Sequence, residues 1–294
     1  MTIPNYIVLI ASTAVLSSCF NRAQKKKYAI TIYFIRFDSA HVSSGNLGKK
    51  FKYIYEDYNS DSNLIYQEQY ATPDYNDDVW GKLIEKTKFF YDGKQKLKAE
   101  IEGGTPIKKN DGWRDKYKEL DTYVYTRGQL TKWLRDGKPH EEYKYNDQKE
   151  MIEKRVYFFS SDSSKFSGVR YTYSNGLKIK SEYFPVDTLY TSVDTFIYKD
   201  NKLVEKDSYN VKGQRTGHEV IMRDNKGQAI EEKWKDPILD WRQNVDGKWV
   251  NAEFNQENKN FYDSERRLLK TEYYRSDEYY RSYKLITIYE FQYN

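Results

Sequence analysis

Three histidines, one cysteine and 44 carboxylates are the groups in this 294-residue chain that could ligate a metal or move a proton. His41, His140 and His218 stand in separate polar stretches, none with a second His or a Cys at ligand spacing, so no zinc site is read from them. The chain contains no His-Glu-x-x-His, no Gly-x-Ser-x-Gly and no Gly-x-x-x-x-Gly-Lys. Its carboxylates are too evenly scattered to single out an acid/base pair of the glycosidase kind, and the chain reads as non-catalytic. Asp74, Asn76, Asp78 and Glu85 occupy positions 1, 3, 5 and 12 of a calcium-loop spacing, with Val79 where the sharp turn wants glycine. Asp57, Asn59, Asp61 and Glu68 repeat that spacing with Ser62 at the turn. Calcium is thus the only cofactor the sequence suggests. Trp234, Trp241 and Trp249 cluster in "WKDPILDWRQNVDGKWVNAEF", where Asp246-Gly247 predicts a tight hairpin that brings Trp241 near Trp249. Aromatic platforms beside carboxylates and amides suit sugar rings or peptides.

The elements that must carry these groups repeat. In "YTYSNGLKIKSEYF", Tyr171 to Phe184, two tyrosines one residue apart lie on one strand face, Ser-Asn-Gly supplies a turn, and apolar and charged residues then alternate. Related units start at Phe89, Tyr123, Tyr143, Phe196 and Asn260, a weaker copy starts at Val220, and the chain ends on "YEFQYN" as if opening another. Each unit reads as a β-hairpin. A lone hairpin is marginal in water, so the units must pair edge to edge. With 30 Tyr, 14 Phe and 6 Trp beside 32% charged residues, the apolar mass is carried by amphipathic rings. The expectation is an all-β chain: an elongated antiparallel meander of hairpin repeats, curved or partly rolled, with a closed β-barrel as the alternative. Residues 28–84 read as a less regular N-terminal β region and residues 85–294 as the hairpin-repeat domain.

"YDGKQKLKAE" at Tyr91 and "FYDSERRLLKTE" at Phe261 resemble YD repeats, the Tyr-Asp-x-x-Gly-Arg-Leu units of Rhs and teneurin-type proteins, and the hairpin-repeat lipoproteins of Bacteroidetes. The resemblance implies a β-sheet scaffold. An immunity- or antitoxin-like partner role is a further function that it suggests.

Ahead of these repeats, "IVLIASTAVLSSC" has the length and small-residue end of a signal peptide. Leu16-Ser17-Ser18-Cys19 resembles the lipobox of bacterial lipoproteins, which implies removal of residues 1–18, lipidation (palmitate included) of Cys19 and a basic tether over residues 19–27. Arg22, Lys25, Lys26 and Lys27 follow that cysteine; without them 45 basic residues face 44 acidic ones, and no footprint for nucleic acid remains. The expected protein is therefore a binding or scaffold lipoprotein of the bacterial cell envelope. It would be held at a membrane, the outer one by this reading, and present aromatic sheet surface to a glycan, peptide or protein partner. An envelope glycan hydrolase whose carboxylate pair is unlocated is the alternative.

Overall fold

A computed structural model describes residues 27–37, 48–71, 81–103, 117–157, 166–184, 192–245, 248–276 and 284–294, without the side chains of 235–245, 248–255, 275–276, 284 and 286. Its strands are β1 (Tyr28–Arg36), β2 (Lys50–Tyr58), β3 (Leu64–Tyr70), β4 (Leu83–Asp92), β5 (Gln95–Gly103) and β6 (Lys118–Thr126). There follow β7 (Gln129–Arg135), β8 (Lys138–Tyr145), β9 (Met151–Tyr157), β10 (Phe166–Ser174), β11 (Leu177–Phe184) and β12 (Ser192–Lys199). The last six are β13 (Lys202–Asn210), β14 (Arg215–Arg223), β15 (Ala229–Val245), β16 (Lys248–Tyr262), β17 (Leu268–Ser276) and β18 (Lys284–Tyr293).

Each strand pairs antiparallel with the next, and β1 pairs with both β2 and β18, so the sheet closes into an 18-stranded barrel. This overturns the expected open, elongated meander. The physical reason lies in the last half-unit. β18 has the aromatic pattern of a hairpin's first strand, and β1 serves as its missing second strand: Ala29 and Asn294 exchange backbone bonds of 3.0 and 2.9 Å where a turn would stand. Closure leaves no edge strand to template aggregation. Residues 28–84 supply β1 to β3 and the start of β4 to this one sheet.

The quoted hairpin shows why the turns form. Asn175 and Gly176 both adopt positive φ, 51° and 74°, the two-residue turn whose twist matches antiparallel strands. Longer turns use an Asx cap instead. Asp263 Oδ1 accepts the Arg267 amide at 2.8 Å, and Asn146 and Asp224 do the same for Glu150 and Gln228.

Next to each turn at this end the register slips by one residue, leaving a bulge. The second tyrosine of the repeat meets that bulge in the preceding hairpin. Tyr91, Tyr145, Tyr173, Tyr198, Tyr262 and Tyr293 donate their hydroxyls to the carbonyls of Leu64, Leu130, Met151, Lys178, Ala229 and Leu268 at 2.8 to 3.0 Å. In the weaker copy Arg223 takes the same place, reaching the Leu203 carbonyl at 3.1 and 3.2 Å. The "YD" pair therefore has two duties: the tyrosine ties one hairpin to its predecessor, and the aspartate at Asp263 caps the turn.

These turns all lie at one end of the barrel, where Tyr28 and Asn294 also lie; call it the tight-turn end. Most connections at the other end are longer, spanning 37–49, 71–82, 104–117, 158–165, 185–191 and 277–283. There β15 and β16 continue pairing out to Val245 and Lys248, beyond the last bonds to their neighbours at Lys235 and Asn255, as a two-stranded ribbon.

Cross-strand partners share a face, so the register sorts the side chains into two sets. On the open face opposite charges alternate. Lys88 faces Glu100, Lys132 faces Glu142, Lys259 faces Glu272, and Lys144, Glu153, Arg170 and Glu182 face one another in series. Large apolar residues stand among them and stay exposed, Leu120, Val124, Ile197 and Met222 included; Lys98 lies over the Phe90 ring and Lys270 over Phe261, each at 4.2 Å, yet both rings remain exposed as well.

The shielded face carries the repeated aromatics, yet it is also polar. Asp121, Glu141, Ser181 and Asp194 are buried in mid-strand there. Among the described residues its apolar cluster lies at the seam, where Ile30, Ile32, Leu268 and Phe291 pack with tyrosines of β2, β16 and β18. On the open face, toward the loop end of β10, the Phe184 ring occupies the space a Cβ of Gly168 would need, 2.3 Å from its position, which is why this residue has no side chain.

Candidate functional site

Trp133 is a meeting point of aromatic and charged groups on the shielded face. It stacks on Tyr123 at 5.9 Å between centroids, and the His140 ring meets it edge-on at 4.2 Å. A register slip between Trp133 and Leu134 makes room for His140, so the bulge aims that imidazole at the indole. Arg135 lies over the indole at 5.3 Å while bonding both oxygens of Asp121, at 2.9 and 3.3 Å, and reaching Glu119 at 3.2 Å. Lys96 caps the Tyr123 ring at 4.1 Å, and Lys154 reaches Glu141, which also accepts from Tyr143. The Trp133 Nε1 hydrogen is buried with no acceptor.

The electrostatics follow from that crowding. Burial, with the charge of Arg135 second, pulls the His140 imidazole below its ordinary value and keeps it neutral near pH 7. Burial raises the Tyr123 hydroxyl, and the Asp121 charge adds to it. The indole is thus engaged by Tyr123, Arg135 and His140, while the imidazole, guanidinium and carboxylates gathered around it are groups able to bond hydroxyls or amides.

Of the residues singled out by sequence, Trp234 lies in β15 opposite Glu219 and Gln256. The register sets Trp249 opposite Asn244 and leaves Trp241 in the irregularity between Pro237 and Arg242; both side chains are outside the described residues. Asp74, Asn76 and Asp78 are likewise outside the described residues, whereas Glu85 accepts from Tyr117 at 2.6 Å. In the earlier copy of the spacing, Asn59 Oδ1 is occupied by the amides of Asp61 and Asn63. Glu68 sits in mid-strand, bound by Tyr66, Tyr70 and Lys52. Cys19 and the whole N-terminal segment lie outside the described residues. Sequence reasoning missed Trp133 and weighed His140 only as a histidine without a ligand at motif spacing; the available signal was "QLTKWL", a repeat unit with tryptophan on its second strand.

No protein-family model and no curated protein matches the chain. Among solved structures it is similar to a porin-like protein from Bacteroides uniformis, at 8% identity and a TM-score of 0.32, covering 91% of this chain and 96% of that one. It is also similar to the TcdB2-TccC3 structure, at 9% identity and a TM-score of 0.36, over 88% of this chain and 15% of that one. The Cdc42-containing form of TcdB2-TccC3 matches at 11% identity and a TM-score of 0.33, with 87% and 14% covered. The chain thus spans only about a seventh of the TcdB2-TccC3 chains it matches.

Proposed function

We propose that this protein is a lipid-anchored, water-immersed β-barrel of the bacterial envelope that binds a glycan or peptide on its aromatic surface. The observation that carries this reading is the charge on both faces of the wall. A membrane-spanning barrel needs an outward apolar band about 25 Å tall, and a lysine or arginine at its mid-height costs about 2 to 4 kcal/mol. The open face has salt-bridged ladders at that height, and the shielded face has Asp121, Glu141 and Asp194. Water on both sides explains both sets. Eighteen strands is also the size at which barrels leave an aqueous interior.

The anchor fits this geometry. Cys19 precedes Tyr28 by nine residues, a reach of at most about 30 Å. A lipid there would hold the tight-turn end toward the membrane and turn the loop end outward. Trp133, three residues from the Asp136-Gly137 turn at that loop end, would then face away from the bilayer together with the β15–β16 ribbon.

Two experiments test the two halves. Cys19→Ala should move the protein out of the membrane fraction; unchanged membrane association would defeat the anchor. For the binding role, a glycan array followed by tryptophan-fluorescence titration of the best oligosaccharide should show saturable binding that Trp133→Leu weakens by at least about tenfold. Equal affinity in the variant removes this platform from the account.

A further inference from the structure

We infer that Glu205, Asp207 and His218 form a site for a divalent transition metal on the open face of the wall. Glu205 and Asp207 stand two apart on β13 and so share a face, and the register sets His218 of β14 directly opposite Asp207. His218 Nδ1 lies 2.8 Å from Asp207 Oδ1 and 3.7 Å from Glu205 Oε1, and the three donor atoms fall within 4.8 Å of one another. Ligands held about 2.0 to 2.2 Å from a tetrahedral ion are separated by about 3.3 to 3.6 Å, so small side-chain rotations bring these atoms to bonding distance. The side chains of Asp207, His218 and Glu205 are 11%, 27% and 35% exposed, which leaves room for water in the remaining coordination position.

A second observation is the charge pattern around the trio. Elsewhere on this face paired acids are answered by lysine: Glu100 and Glu102, also two apart on one strand, face Lys88 and Lys86. Glu205 instead faces Ile197 and Val220, and Asp207 faces Thr195 and His218. Arg215, 3.3 Å from Asp207 Oδ1, supplies one positive charge against two carboxylates. On the other side the register sets Lys235 of β15 opposite His218, so the imidazole stands in line between the Asp207 carboxylate and a lysine. One imidazole and two carboxylates on paired strands form a preorganised donor set suited to zinc or manganese.

Zinc sulfate titrated calorimetrically into the full chain in a non-chelating buffer tests the site. One equivalent should bind. His218→Ala and Glu205→Gln should each weaken binding by at least about tenfold, since even supporting residues around metals are worth that much. Glu100→Gln should leave it unchanged, and circular dichroism of each variant establishes that the barrel is intact. Absence of zinc binding by the wild type, or equal binding by His218→Ala and Glu205→Gln, overturns the proposal.

Discussion

The two faces of the barrel wall carry the same kinds of ion pair in different surroundings. On the shielded face Asp121 and Arg135 meet with 3% and 25% of their side chains exposed; on the open face Glu100 and Lys98 meet at 2.8 Å with 49% and 43% exposed. Geometry alone makes the two look equivalent. Desolvation separates them, because a buried charge that loses its partner is stranded, whereas an exposed one returns to water. Burial therefore decides what a pair contributes, and it is not confined to one face: Glu153, Asp207 and Glu257 are buried on the open side as Asp121 is on the shielded one.

The largest break in that contrast comes from Asp121→Ala, which leaves Arg135 without its bidentate partner. A loss of about 3 to 5 kcal/mol is expected in chemical denaturation. Tyr173→Phe removes one hydroxyl that ties a hairpin to the Met151 carbonyl of its predecessor and should cost about 1 kcal/mol, while leaving the far-ultraviolet spectrum unchanged.

Acid sharpens the comparison on the open side. Partial burial of Glu153 works to raise its carboxyl, but hydrogen bonds from Lys144, Arg155 and Arg170 outweigh it and hold the group down at about 2. A depressed carboxyl contributes stability above its unfolded value, near 4.5, and loses that contribution as pH falls toward 2. Melting temperatures of Glu153→Gln should therefore fall less than those of the wild type between about pH 4.5 and 2. Last comes Glu100→Ala, expected to change stability by less than about 0.5 kcal/mol in the same denaturation assay.

Much of the wall was legible in the sequence because it is local. The turn at Asn175-Gly176, the alternation after it and the recurrence of the tyrosine pair all follow from nearest neighbours. Closure was not legible, since pairing of Ile30 with Tyr293 depends on how curvature accumulates over the whole sheet, and a period of two does not encode curvature. The duty of the second tyrosine was hidden for a related reason: the Leu64 carbonyl it satisfies at Tyr91 belongs to the preceding hairpin. The Trp133 platform escaped notice because its parts, Asp121, Tyr123, Trp133 and His140, come from three strands and one of them is placed by a bulge.

The His218 trio was invisible as a ligand set for the same reason. His218 has no ligand at motif spacing, and Glu205 and Asp207 become its neighbours only through the β13–β14 register. Conversely, the calcium-like spacing at Asp57 was a coincidence of composition, because its Asn59 caps a turn and its Glu68 lies within a strand.

The wet wall is tested most directly by the barrel residues 28–294, which contain all eighteen strands, prepared without detergent and then offered to lipid. Sedimentation should show a soluble, folded species, and addition to planar bilayers should give no conductance. Detergent-dependent solubility together with stable single-channel currents would contradict the account.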